Sequence, residues 1–336
     1  MVLIASRPSL DAGSNLPATT PRDDFPPDVI TSLRAALASP EGVSWLIGDR
    51  PVKHATYRAP SLDGSSHEIV LSVFRPRSSS SRARGRNRPR RPCIYWIHGG
   101  DMISGDRHCD VAPALDVLVD CDAVCVSVEY RLAPEHPHPT PLGDCYAGLV
   151  WLTGHAAAAD LGIDPARIVV AGMAAGANLA AATALLCRDL GEPDLCAQFL
   201  AMPVMLDDRR PAPLGDNDAY PPPSSSGSRP AAPSVWDLYL DRSSGGASMA
   251  VSAPACARDL SRLPPARIDV GAADATRDQG VDYASRLWAC GVATELHLWT
   301  GGGANATARV FSAPAQAGPV EMSRVGGIDW FKRILG

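Results

Sequence analysis

The feature that most constrains the fold of this chain is a short turn with a glycine at each end. The apolar run RIVVA at residues 167–171 is typical of a buried strand, and Gly-Met-Ala-Ala-Gly follows it at 172–176. An Ala/Leu-rich stretch of helical character comes next. Two glycines this close together indicate a sharp turn in which two backbones approach closely. The sequence therefore predicts a strand, a tight turn and a helix that packs back against the strand.

Strands and helices alternate along most of the remaining chain. Alternation of this kind predicts an α/β fold with a mostly parallel central sheet flanked by helices. The predicted strands cover 67–76, 93–97, 123–129, 197–204, 266–271 and 294–299. The predicted helices cover 27–38, 111–118, 141–153, 278–290 and the C-terminal residues.

Two segments interrupt this alternation. Residues 1–45 begin as a loose arm rich in Pro, Ser and Asp, and we expect them to supply part of a cap. A second Pro/Ser/Asp-rich stretch leads into an amphipathic segment at 235–240. We interpret 205–250 as a helical cap inserted into a core that covers 46–336.

Composition restricts the possible partners. The net charge of −5 offers no electrostatic footprint for nucleic acid, and the basic run at 78–92 contains no aromatic side chain to stack on a base. No apolar stretch is long enough to predict a membrane span. The nine cysteines are scattered without metal-type spacing. We expect a cytoplasmic protein with a small hydrophobic substrate and no metal or cofactor. A homodimer is one assembly open to it.

Four short motifs occur along the chain, and each resembles a motif of one protein family. The glycine-bracketed turn resembles the G-x-S-x-G nucleophile elbow, and HGGDM at 98–102 resembles an H-G-G-G-[FW] loop. YRLAPEHPHP at 130–139 is similar to Y-R-L-A-P-E-H-P-F-P, and GAADATRD at 271–278 is similar to G-x-x-D-x-L-R-D. Together they resemble the hormone-sensitive-lipase-like branch of the α/β-hydrolases. This resemblance implies an α/β-hydrolase fold with a helical cap.

The family's mechanism needs a serine, a histidine that takes its proton and an acid that orients the histidine. By the resemblance, the serine position holds Ala174, the histidine position holds Ala304 and the acid position holds Asp274. The only histidine after Asp274 is His297, which we expect to be packed in the core of a strand. The nucleophile and the base are therefore both absent at the expected positions.

The resemblance also implies an oxyanion hole formed by the backbone N–H groups of Gly100, Asp101 and Ala175. Asp101 replaces the third glycine of the family's loop, and Met173 stands where the family commonly has an acidic residue. We further expect a set of residues to line the substrate pocket. These are His98, Gly99, Met102, Met173, Ala174, Trp236 and Ala304.

These departures lead us to expect a non-hydrolytic enzyme. It would promote cyclisation, either pericyclic or acid/base-assisted, elimination or isomerisation of a small metabolite, in specialised-metabolite biosynthesis, with Asp101 and Asp274 transferring protons. Two alternatives remain open. One is a catalytically dead, receptor-like protein that binds a ligand, and the other is a carboxylesterase inactivated by engineered alanine substitutions of its serine and histidine.

Overall fold

The computed structural model describes residues 27–37, 42–77, 90–205, 235–240, 253–274, 276–303 and 319–336. The strands are β1 (Val52–Pro60), β2 (Glu68–Pro76), β3 (Arg91–Ile97), β4 (Val124–Glu129), β5 (Ile163–Met173), β6 (Ala197–Ala201), β7 (Ala266–Ala273) and β8 (Thr294–Gly303). The α-helices are α1 (Pro27–Leu37), α2 (Gly42–Ile47), α3 (Ala112–Asp120), α4 (Thr140–Thr153), α5 (His155–Leu161), α6 (Ala175–Leu190), α7 (Val235–Leu240), α8 (Arg277–Ala289) and α9 (Pro319–Leu335).

The eight strands form one sheet in the order β1-β2-β4-β3-β5-β6-β7-β8. The β1–β2 and β2–β4 pairs are antiparallel, and every other pair is parallel. The central strands are mostly apolar because helices cover both of their faces. The predicted fold class, a mostly parallel α/β sheet of the α/β-hydrolase type, is confirmed.

Two hydrophobic cores lie on opposite faces of the sheet. Tyr95 and Ile97 of β3 point into the core shared with α4, α5, α6 and α8. Ile94 and Trp96 point into the core shared with α2, α3 and the end of α9. This alternation follows from the two-residue period of a strand. Because these strands run parallel, their carboxyl ends lie at the same edge of the sheet, between the two cores.

The element predictions hold, with three corrections. β6 ends at Ala201 rather than at 204, because Met202 adopts a left-handed φ of 46° that ends the extended backbone. β8 continues beyond 299 to Gly303. β1, α2 and α5 were not predicted. β1 was missed because it is an edge strand on which few side chains are buried.

The predicted cap is described only in part. Residues 235–240 form α7, whose Tyr239 is fully buried, and the Tyr239 carbonyl accepts a 2.7 Å hydrogen bond from the His138 N–H. Residues 1–26, the basic run at 78–89 and most of 205–250 lie outside the described residues. All nine cysteines carry free thiols. Within the described ranges, each helix is too short or too polar to cross a bilayer.

Candidate active site

The centre of the site is the turn between β5 and α6. Ala174 occupies this turn with φ 51° and ψ −116°, a conformation that is costly for any residue with a Cβ. A Cβ on Gly172 would collide with the backbone of Gly176, and one on Gly176 would collide with the carbonyl groups of Ile97 and His98. The two glycines are therefore required by close backbone contacts, and the predicted tight turn is confirmed.

Main-chain hydrogen bonds hold the turn in place. The Ala174 N–H donates to the Ala201 carbonyl at 2.9 Å, and the Ala174 carbonyl accepts from the Ala177 N–H at 3.0 Å. Met173 and Ala175 are buried on either side, whereas Ala174 is partly exposed. The methyl group of Ala174 thus lies at an accessible point of a rigid turn, and it offers no nucleophilic atom.

The loop after β3 meets this turn. A Cβ placed on Gly99 would lie 3.1 Å from the Met173 carbonyl oxygen and 3.7 Å from the Ala174 Cβ. Beyond Gly99 the chain makes a compact turn, in which the Gly100 carbonyl accepts hydrogen bonds from the Ser104 N–H at 2.9 Å and from its hydroxyl at 2.8 Å. The loop is therefore fixed directly beside Ala174.

His98 supports the loop from within the protein. Its ring is fully buried, stacks on Tyr130 at 4.1 Å between centroids, and places Nδ1 2.7 Å from the Gly99 carbonyl oxygen. A carbonyl oxygen can only accept, so Nδ1 carries the proton. Burial lowers the pKa of His98, which keeps the ring neutral. His98 acts here as a hydrogen-bond donor to the loop backbone.

Three backbone N–H groups of the loop and the elbow were predicted to form an oxyanion hole. In a trans peptide the N–H and C=O groups point in opposite directions. Because the carbonyls of Gly99 and Gly100 are bonded inside the loop, the N–H groups of Gly100 and Asp101 point away from those partners. The Ala175 N–H is at the first turn of α6 and has no intrahelical acceptor. Among the described residues, no backbone carbonyl bonds any of these three N–H groups.

The two predicted carboxylates occupy different settings. Asp101 adopts a left-handed φ of 56°, and burial raises its pKa. Asp274, just after β7, accepts 2.7 Å hydrogen bonds from the backbone N–H and the hydroxyl of Thr276. Its carboxylate thus binds its own loop.

The remaining predicted residues are placed as follows. Met102 and Met173 are buried in separate hydrophobic cores. Trp236 lies in α7, but its side chain is outside the described residues, as is the whole of Ala304. His297 was expected in the core. Its side chain is instead 32% exposed, because it stacks on Trp299 at the edge strand and contacts Glu295 at 3.4 Å.

Sequence reasoning missed two residues that contact the loop. The carboxylate of Asp110 lies against Gly99, and the guanidinium of Arg34 on α1 donates to the Ile103 carbonyl at 2.8 Å. Asp110 is eleven positions from Gly99 and Arg34 is far upstream, so no local pattern connects them with the loop. The one available signal is a carboxylate directly before a predicted helix that follows the loop.

Known proteins resemble this chain over most of its length. A family model described as alpha/beta hydrolase fold matches residues 94–305. Esterase LipI of Mycobacterium tuberculosis is 35% identical over 239 residues, which cover 70% of each chain. Carboxylesterase NlhH of the same organism is 40% identical over 216 residues, 61% of this chain and 63% of the relative. The solved structure of a bacterial heroin esterase is 30% identical, with a TM-score of 0.71 over 91% of this chain and 93% of that chain.

These comparisons overturn one expectation. We expected a non-hydrolytic enzyme for cyclisation, elimination or isomerisation, because the serine and histidine positions hold alanine and because Asp101 and Met173 also depart from the family pattern. The relatives are named esterases and carboxylesterases, so that expectation is wrong, and they favour the carboxylesterase alternative. The elbow, the loop beside it and the extent of these matches agree on one conclusion. The chain belongs to the hormone-sensitive-lipase-like family of α/β-hydrolase-fold enzymes.

Proposed function

We propose that the site is a carboxylesterase site that binds small carboxylic esters, with alanines at its serine and histidine positions. The observation that carries this proposal is the pairing of an intact elbow backbone at Ala174 with relatives named carboxylesterase and esterase. The ester carbonyl oxygen accepts hydrogen bonds from the N–H groups of Gly100, Asp101 and Ala175. Gly99 forms the wall beside them, and His98 supports that wall from within the protein.

The chain as it stands lacks the covalent step. Acyl transfer needs a hydroxyl at position 174, a base at position 304 and a carboxylate at Asp274 that orients the base. The methyl group of Ala174 cannot attack a carbonyl carbon. The chain therefore binds an ester without forming an acyl-enzyme.

Restoring the two missing groups tests this proposal. The double variant Ala174→Ser/Ala304→His should cleave p-nitrophenyl butyrate at least about a thousandfold faster than the parent chain, because the nucleophile and base act as a unit. Each single substitution is the matched control and should stay close to the parent rate. Stopped-flow absorbance of p-nitrophenolate measures all four proteins.

Ester binding by the parent chain is a separate measurement. Saturation-transfer NMR with ethyl butyrate should give a signal in the parent chain, and p-nitrophenyl butyrate should compete with it. The proposal would be contradicted if the double variant cleaved p-nitrophenyl butyrate only at the background rate and the parent chain bound neither ester. Rapid ester cleavage by the parent chain itself would refute the assignment of Ala174 as an inert position.

A further inference from the structure

Asp110 lies at the contact between the loop and the elbow. It directly precedes the N-terminus of α3 and adopts a left-handed φ of 57°. Its Oδ2 is 3.0 Å from the point that a Cβ on Gly99 would occupy, and the same point is 3.7 Å from the Ala174 Cβ. The carboxylate thus fills the space that a side chain at position 99 would need, next to the elbow.

The carboxylate lies against one end of the peptide group that joins His98 to Gly99. Its Oδ2 packs against Gly99, and interaction with the Gly99 backbone lowers the pKa of the Asp110 carboxyl group. At the other end, the hydroxyl of Tyr130 donates to the His98 carbonyl at 3.0 Å. Because the N–H and C=O of a trans peptide point in opposite directions, contacts at these two ends restrict the plane of the peptide group.

The plane of this first peptide determines the orientation of the next ones. The Gly99 carbonyl is held by His98 Nδ1, and the Gly100 carbonyl is held by the turn that closes at Ser104. Gly99 and Gly100 have no side chains to restrict their dihedral angles. Their peptide groups therefore depend on external contacts for orientation, and the contact between Gly99 and Asp110 is the first in the series.

Asp110 keeps this place at an energetic cost. Burial raises the pKa of its carboxyl group, and interaction with the Gly99 backbone offsets only part of that rise. Within the described part of the chain, no arginine or lysine forms an ion pair with it. A buried carboxylate with a left-handed backbone and no cation is destabilising, so its presence here points to a role for the contact with Gly99.

We propose that Asp110 is a positioning residue, which orients the N–H donors of Gly100 and Asp101 through its contact with Gly99. This inference rests on the proposed carboxylesterase site. The donors bind the oxyanion most strongly in the transition state, so the role of Asp110 is expressed in kcat rather than in KM.

The kinetic test uses the Ala174→Ser/Ala304→His protein. Adding Asp110→Ala should lower kcat about tenfold or more and leave KM within about twofold. Asp110→Asn keeps an acceptor oxygen in place and should retain most of kcat. Tyr130→Phe removes the bond at the other end of the same peptide and should lower kcat in the same way. Asp116→Ala is the control, because it removes a carboxylate from α3 that faces Arg50.

A second measurement needs no activity. In the parent chain, hydrogen exchange of the 98–104 backbone should be about tenfold faster in Asp110→Ala than in Asp116→Ala, with α6 unchanged. An inactive double variant would count against the proposed function only, and the exchange measurement would then decide the role of Asp110. Unchanged kcat in an active protein carrying Asp110→Ala, equal exchange rates, or a loss in Asp110→Asn as deep as in Asp110→Ala would each overturn the inference.

Discussion

At the scale of single residues, the site is distinguished by strained backbone. Asp101, Met102, Asp110 and Ala174 are non-glycine residues with φ between 51° and 60°. A left-handed conformation costs an L-residue about 1–2 kcal/mol. Strain of this kind persists only where the surroundings over-determine it, and here it is concentrated in the loop and the elbow that form the candidate site.

The charge of Asp101 should lower stability in a pH-dependent way. Because burial raises its pKa, the folded state keeps a proton that the unfolded state has already lost just above the usual carboxyl range. Stability of the parent chain should therefore fall, relative to Asp101→Asn, as pH rises from about 4 through the raised pKa, and the difference should then level off. Urea unfolding of both proteins between pH 4 and 8 measures this difference.

Asp49→Asn, which removes an exposed carboxylate after α2, controls for the loss of one negative charge. A stability difference between the parent chain and Asp101→Asn that is the same at every pH would show that ionisation of Asp101 is not penalised by folding.

At the scale of elements, the side chain of Arg34 fastens α1 to the site. Arg34 donates to the carbonyls of Ile103 at 2.8 Å and Ala133 at 3.0 Å, and it forms a 2.7 Å ion pair with Glu135. It therefore joins α1 to the loop after β3 and to the turn after β4. The guanidinium donates from three separate nitrogens and so reaches these separated partners at once, whereas an ammonium group donates from a single nitrogen.

We expect Arg34→Ala to lower the free energy of unfolding by about 1–2 kcal/mol, because charge-assisted hydrogen bonds are lost and the Ile103 carbonyl is left without a donor. Arg34→Lys should recover less than half of that loss. Chemical denaturation measures both variants, and hydrogen exchange should become faster in α1 and in residues 100–104.

Arg58→Ala serves as the comparison, because Arg58 forms an exposed ion pair with Glu68. This substitution should lower the free energy of unfolding by less than about 0.5 kcal/mol. Equal effects of Arg34→Ala and Arg58→Ala would mean that α1 does not depend on Arg34.

At the scale of the whole molecule, one ion pair is fully buried within the protein. Arg267 and Asp269 of β7 are both about 1% exposed and form a 2.9 Å contact. The guanidinium also lies 5.9 Å from the ring centroid of Phe199, which packs against Trp330 and Phe331 of α9. Burial raises the pKa of Asp269, and Arg267 offsets part of this rise. The pair is thus built into the packing between the sheet and α9.

Removing one partner of this pair should lower the free energy of unfolding far more than removing both. Arg267→Met leaves a buried carboxylate and should lower the free energy of unfolding by about 3–5 kcal/mol, whereas Arg267→Met/Asp269→Leu should recover most of that loss. Equilibrium unfolding in urea measures the free energy of unfolding of each protein in this double-mutant cycle. A loss below about 1 kcal/mol in the single variant would indicate that water reaches Asp269.

Most strands of the sheet were predictable from the sequence, because buried parallel strands and amphipathic helices carry strong periodic signals. β5 and α6 were found through their apolar runs and the glycines between them. The edge strand β1 was missed because its polar side chains resemble those of a loop. The end of β6 was misplaced because the left-handed turn at Met202 was not recognised, although the proline directly after it, Pro203, is a residue that ends central strands.

The candidate site was predictable only where a motif is contiguous. Ala174, Gly100 and Asp274 were located through short patterns, whereas Asp110 and Arg34 contact the loop through tertiary folding alone. The function was misjudged for a related reason. Two missing side chains were given more weight than the rest of the scaffold, although the resemblance to named esterases extends over 70% of the chain.

The elbow is shaped by main-chain contacts, and this has an evolutionary consequence. Gly172, Gly176 and the carbonyls of Ile97 and His98 determine its course, so the side chain at position 174 takes no part in folding the turn. A single base change converts an alanine codon into a serine codon. The scaffold can therefore lose or regain a reactive hydroxyl at position 174 without passing through an unfolded intermediate, and selection on ester recognition can proceed separately from selection on turnover.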